Sequence, residues 1–98
     1  MRLSEYEVDM IKKAFKETFK DGSIYLFGSR VDDSKRGGDI DLYIDLPYNI
    51  DIDEEYEKKS QFRLKLYKLI GEQKIDVVIS RNKDRSLEKE ILKTGVML

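Results

Sequence analysis

The chain has 98 residues, 40% of them apolar, and carries 19 basic against 20 acidic side chains for a net charge of -1. That suffices for one small folding unit, expected to span residues 1–98, and the even charge balance offers no footprint for direct nucleic-acid binding. Cysteine and histidine are both absent, which excludes disulfides, thiol nucleophiles, imidazole acid–base chemistry and zinc held by sulfur or nitrogen, so any metal must be held by oxygen. No apolar run approaches the roughly 20 residues of a membrane span, and Met1–Lys20 is too charged for a secretory signal. No membrane association is expected, and the cytoplasm is the expected compartment.

Ser4 with Glu7 three residues on forms a capping box, and Val8, Ile11, Phe15 and Phe19 follow at helical spacing. This first helix is expected to end near Lys20, its second half crowded with lysines that suit the macrodipole, and Asp21-Gly22 supplies a turn. Ser23–Phe27 is apolar enough for a buried strand that Gly28 ends. Ser29–Ser34 has room for a helical turn or two, and Lys35–Gly38 is a flexible connection. Ile40, Leu42, Ile44 and Leu46 then alternate with Asp39, Asp41, Tyr43 and Asp45, which predicts a strand with one apolar face and one face of carboxylates. Pro47 stops it. Asp51 or Asp53 can cap a long helix with Phe62, Leu66, Leu69 and Ile70 on one face, closed by Gly71, while Lys58, Lys59, Arg63, Lys65 and Lys68 form its wet face. Lys74–Ser80 reads as a third strand, and Asp84 or Ser86 opens a last helix bearing Leu87 and Ile91, with Gly95 past its end. The expected fold is α/β (α+β): a small mixed sheet of about three strands with helices packed on it.

The chemistry concentrates between Gly28 and Asp45. A Gly-Ser pair closes an apolar strand, a short polar loop follows, and two aspartates one residue apart open the next strand. Alternation sets Asp39 and Asp41 on one face about 7 Å apart along the chain, where both can ligate a hard cation. Asp76, on the third strand, can complete the set if that strand is adjacent. Two magnesium ions about 3.5–4 Å apart would then serve an in-line displacement at phosphorus. Asp76 is placed on the nucleophile side, where it can also take the acceptor's proton. Gly28 lets backbone approach a triphosphate, Ser29 and the following amides donate to its oxygens, and Arg30 and Arg36 can neutralise phosphate charge. No Gly-Lys-Ser/Thr occurs, which disfavours a P-loop enzyme. With 11 aspartates in the chain, a D-x-D triplet is expected roughly once by chance. Asp51-Ile52-Asp53 is such a triplet, and helix capping explains it. The Asp39/Asp41 pair is distinguished by its strand context. Asp45 shares its face a further step away, and the tyrosines read as packing residues.

GSRVDDSKRGGDIDL followed by KIDVVIS resembles the catalytic core of the DNA polymerase β-type nucleotidyltransferase superfamily, and more closely its minimal nucleotidyltransferases. The resemblance covers nearly the whole chain, including ILKTGVML, which is similar to the family's common ending. It implies Gly28 and Ser29 as the triphosphate motif, Asp39, Asp41 and Asp76 as a catalytic triad holding two Mg2+ ions (or Mn2+), and ATP as the nucleotide. The loop between Ser29 and Asp39 departs from it, at nine residues where ten is frequent in close relatives, which bears on contacts from Arg30 to Gly38.

Minimal members of this family pair with a helical HEPN protein, often a ribonuclease toxin, and act as its antitoxin by moving AMP from ATP to a tyrosine hydroxyl. The resemblance therefore implies an adenylyltransferase in a hetero-oligomer with such a partner. Two alternatives stand beside it: a binding module that neutralises the partner by contact, and a catalytic subunit of a small-molecule or RNA nucleotidyltransferase whose substrate domain is a separate chain. Leu64, Tyr67, Val96, Met97 and Leu98 lie off the core stripes and are candidates for partner contact.

Overall fold

A computed structural model describes residues 1–32, 34 and 38–98. In chain order these form α1 (Glu5–Thr18), β1 (Ser23–Phe27), a 3-10 turn (Gly28–Val31), β2 (Ile40–Asp45), α2 (Ile52–Ile70), β3 (Ile75–Ile79), α3 (Ser86–Thr94) and β4 (Val96–Met97). Of the expected connection Lys35–Gly38, residues 35–37, Arg36 among them, lie outside the described residues.

The strands make one mixed sheet in the order β3-β2-β1-β4. β2 runs antiparallel to β1 and parallel to β3, and the β2–β3 crossover is made by α2. The fourth strand goes beyond the three expected from the sequence. At two residues it carries no readable alternation, and it exists because Val96 and Met97 pair with Leu26 and Tyr25 of β1.

Alternation sends Ile24 and Leu26 of β1, Ile40, Leu42 and Ile44 of β2, and Ile75, Val77 and Ile79 of β3 to one face. α1 and α2 pack there, contributing Ile11, Ala14, Phe15, Phe62 and Leu66 to a single core. The capping box forms, Glu7 N–H donating to Ser4 Oγ at 3.1 Å and Ser4 N–H to Glu7 Oε1 at 3.0 Å. α1 stops at Thr18 instead of near Lys20, because Phe19 turns extended and puts its ring into the core, stacked on Phe15 and edge-on to Phe62 at 5.7 and 6.0 Å. At the start of α2, Asp51 accepts from Glu54 N–H at 2.8 Å, which accounts for the second D-x-D triplet as a helix cap. Tyr67, Leu69, Ile70 and Leu98 are partly buried against the core, whereas Leu64 stays 59% exposed.

α3 begins at Ser86, one of the two expected starts; Arg85 holds the cap position, with no side-chain cap bond. Of Leu87 and Ile91, Ile91 is buried and Leu87 exposed, and Glu88 is fully buried. The reason lies on the sheet. Tyr43, which alternation sets on the carboxylate face of β2, is also fully buried, and its hydroxyl donates to Glu88 Oε1 at 2.8 Å. The amides of Arg81 and Asn82 donate to the same carboxylate. Burial alone would raise the Glu88 carboxyl; these donors outweigh it and hold it below the usual glutamate range. Burial and the neighbouring Glu88 push the Tyr43 phenol up.

Glu88→Ala should cost about 2–4 kcal/mol in urea unfolding, because it leaves the Tyr43 hydroxyl and two amides without their acceptor. Since the folded value is lowered, the ionised Glu88 contribution is present above the ordinary glutamate pKa and is lost as pH falls through the folded one. The difference between wild type and Glu88→Ala should therefore narrow on acidification.

Candidate active site

The register of the sheet decides which acids meet. In the β2–β3 ladder Asp41 stands opposite Asp76, and in the β1–β2 ladder it stands opposite Phe27, the residue before Gly28. Three segments far apart in sequence thus converge at one end of the sheet. Asp41 is half-buried and Asp76 exposed, and the two carboxyls lie within hydrogen-bonding reach. Desolvation, the charge of Asp76 and then that of Asp39 together raise the Asp41 carboxyl above the usual aspartate range, with Lys74 working against them.

Asp39 takes a different position. Its Oδ2 lies 3.4 Å from Lys74 Nζ at the start of β3, where Ile40 N–H also donates to the Lys74 carbonyl at 3.1 Å. Among the described residues no three acids converge closely enough to enclose a metal ion. Asp41 and Asp76 nevertheless fit an oxygen-seeking cation. They form an all-oxygen pair whose mutual repulsion a cation would relieve, with Asp39 close enough to act on Asp41 electrostatically. Asp45, four residues beyond Asp41 on the same strand, is tied to Lys83 at 2.9 Å at the other end of the strand.

Above the carboxylates sits the 3-10 turn. Gly28 has φ +77°, and a Cβ there would collide with Asp41 Oδ2, so only glycine allows the turn to lie on that carboxylate. Gly38 has φ +89° and packs against Ser29 Oγ, so the loop returns to β2 directly beside the Ser29 hydroxyl. Arg30 does not extend into open solvent: its Nε donates to the Gly38 carbonyl at 3.3 Å and its Nη1 to the Arg2 carbonyl at 2.9 Å. Between the turn and α3 opens a cleft of about 430 Å3, lined by Phe27, Gly28, Ser29, Val31, Leu87 and Ile91. Leu87, exposed with respect to the core, forms part of this wall.

The structure adds two residues that sequence reasoning did not single out. Lys74 was readable as the first residue of the third strand, and only the parallel register with β2 sets it beside Asp39. Arg2 precedes the first helix with no pattern around it, yet its guanidinium reaches the 3-10 turn.

The raised Asp41 carboxyl has a consequence for stability. An acid whose folded value lies above its unfolded one destabilises the fold while ionised, and the cost is relieved as pH falls through the folded value. With chelator present, Asp41→Asn should therefore raise Tm at neutral pH, and the gain should vanish below the ordinary aspartate range. Thermal melts from pH 3 to pH 8 check this, and a lower Tm for Asp41→Asn at pH 7 would contradict the geometry.

Residues 9–98 match the family described as Polymerase beta, Nucleotidyltransferase. Among solved structures, the chain is similar to the toxin–antitoxin pair MntA-HpeT, in a form with two aspartate-to-glutamate substitutions. That match has a TM-score of 0.65 and 21% identity, covering 93% of this chain and 70% of the other. It is also similar to a Sulfolobus solfataricus protein described as a candidate nucleotidyltransferase, with a TM-score of 0.57 and 19% identity, covering 95% of this chain and 82% of the other. At these identities the likeness is one of fold. The comparison with curated proteins finds no match. The family match spans nearly the whole chain, including the Gly28 turn and all three aspartates, and on that basis the chain belongs to the polymerase beta nucleotidyltransferase family.

Proposed function

We propose that this chain transfers AMP from ATP, with magnesium or manganese, to a tyrosine hydroxyl on a helical HEPN-type toxin, and acts as its antitoxin. The observation that carries the chemistry is the placement of Asp41 beside Asp76 and directly beneath Gly28. The antitoxin half of the reading is supported by the fold it shares with the MntA-HpeT pair, in which the two substituted aspartates have the same one-residue spacing as Asp39 and Asp41.

In this reading Asp39, Asp41 and Asp76 hold two divalent ions, which when bound supply charge neutralisation at the triphosphate and lower the pKa of the attacking hydroxyl. Asp39 has to release Lys74 to join the other two, which frees that lysine's charge beside the site. The Gly28 backbone and the Ser29 hydroxyl receive the phosphates, while Arg30 adds positive charge and holds the turn. The acceptor oxygen bonds to the α-phosphorus as the bond to pyrophosphate breaks, and the Asp76 carboxylate takes the hydroxyl proton. Asp76 is suited to this because it is the exposed member of the pair, on the edge strand of the sheet.

One observation favours a contact role alongside chemistry. Ile52, Tyr56 and Leu64 on α2 are 69%, 76% and 59% exposed, an apolar content suited to a protein neighbour.

Labelled ATP, magnesium and the co-expressed partner test the proposal. Asp76→Asn should lower transfer by about 100-fold or more with ATP affinity within about threefold of wild type, because a ligand on the nucleophile side matters chiefly during attack. Ser29→Ala should weaken ATP binding roughly fivefold through loss of one hydrogen bond. Equal defects of both variants in both assays would sink the assigned roles. If Asp76→Asn neutralises the toxin as well as wild type does, contact alone is the function.

A further inference from the structure

We propose that Arg2 is a positioning residue for the nucleotide site, a strap that holds the Gly28–Val31 turn in register with Asp41; this rests on the nucleotide-binding role proposed above. Arg2 engages three carbonyls of one short segment. Its Nη2 donates to Ser29 O at 2.8 Å, its Nε to Asp32 O at 3.0 Å, and its backbone N–H to Arg30 O at 2.7 Å. Arg30 returns the contact by donating to Arg2 O, and reaches on to Gly38 O, so the strap continues to the residue before Asp39.

A turn of four residues has little stability of its own; its closing bond runs from Asp32 N–H to the Ser29 carbonyl at 3.2 Å, and Arg2 gives that carbonyl a second donor. The Ser29 and Asp32 carbonyls, three residues apart, are bridged by one planar guanidinium, whose donors diverge in a fixed fork; an ammonium cannot match that geometry. Gly28 rests on the Asp41 carboxylate, and Ser29 Oγ packs against Gly38, near which the Arg2 guanidinium also lies. By holding the turn's carbonyls, Arg2 sets how far the Ser29 hydroxyl stands from Asp41. That separation is the one a triphosphate must span if it contacts the turn and a metal on the aspartates together.

The test compares Arg2→Ala, Arg2→Lys and Tyr6→Phe. Tyr6 anchors the same end of α1 by donating to Leu69 O at 2.9 Å, on α2 and not on the turn. Amide hydrogen exchange without ligand should show faster exchange across residues 28–32 in Arg2→Ala and slower or wild-type exchange there in Tyr6→Phe. Calorimetry with ATP and magnesium should show affinity about tenfold lower in Arg2→Ala, only partly restored in Arg2→Lys, and unchanged in Tyr6→Phe. In transfer assays the Arg2→Ala defect should appear in KM more than in kcat. Unchanged exchange in the turn, or a Tyr6→Phe defect matching that of Arg2→Ala at equal loss of Tm, overturns the strap. A wild-type chain that binds no nucleotide overturns the reading beneath it, while the exchange arm still decides whether Arg2 orders the turn.

Discussion

Everything at the candidate site depends on β2 being held in register from both sides. Ile40, Leu42 and Ile44 are completely buried, and burying each such side chain stabilises the fold by about 1.5–3 kcal/mol. A slip of one residue would turn all three outward and drive Asp41 into the core, so the apolar face fixes the register far more strongly than carboxylate repulsion can disturb it. The same register that satisfies the core brings Asp41 against Asp76 and under Gly28. The acids meet because hydrophobic burial on the opposite face leaves them no alternative.

The acids along β2 are treated differently by their surroundings. Asp45 has Lys83 and Asp39 has Lys74, whereas the Asp41 carboxyl is raised by desolvation first and then by the charges of Asp76 and Asp39. Perturbed groups of this kind collect where a charged ligand completes the site. Around the far end of the sheet the charges are compensated within the protein. Burial would raise the Glu55 carboxyl, but Arg81 and Lys59 hold it low, and Glu88 receives the Tyr43 hydroxyl and two amides. One end of the sheet is thus closed by its own ion pairs, and the other sets Asp41 against Asp76 beside a glycine turn, with Lys74 only partly offsetting their charge.

α3 links the two ends. Its buried Glu88 locks it over Tyr43, and that orientation turns Leu87 toward the 3-10 turn as a wall of the cleft. The feature that stabilises the outer layer therefore also shapes the space beside Ser29. At the same turn Arg2 and Arg30 exchange hydrogen bonds, so the piece of backbone nearest Asp41 is braced by both.

Much of the fold was legible in the chain because its signals are local. Period-two alternation marked β2, the Ser4/Glu7 box and Asp51 marked two helix starts, and Gly28 and Gly71 marked ends. The Gly-Ser turn and the spacing of Asp39, Asp41 and Asp76 likewise pointed to one end of one sheet. Tertiary structure decided what depends on partners distant in sequence. It buried Glu88 and exposed Leu87, because a tyrosine 45 residues away offered the acid a hydroxyl. It ended α1 early to bury Phe19, made a strand of Val96 and Met97 by pairing them with β1, drew Asp39 to Lys74, and brought Arg2 across to the turn 27 residues on. Periodicity and capping are written within a few residues of themselves; a hydrogen bond or ion pair between remote segments is selected only when the packed sheet brings both groups to the same place.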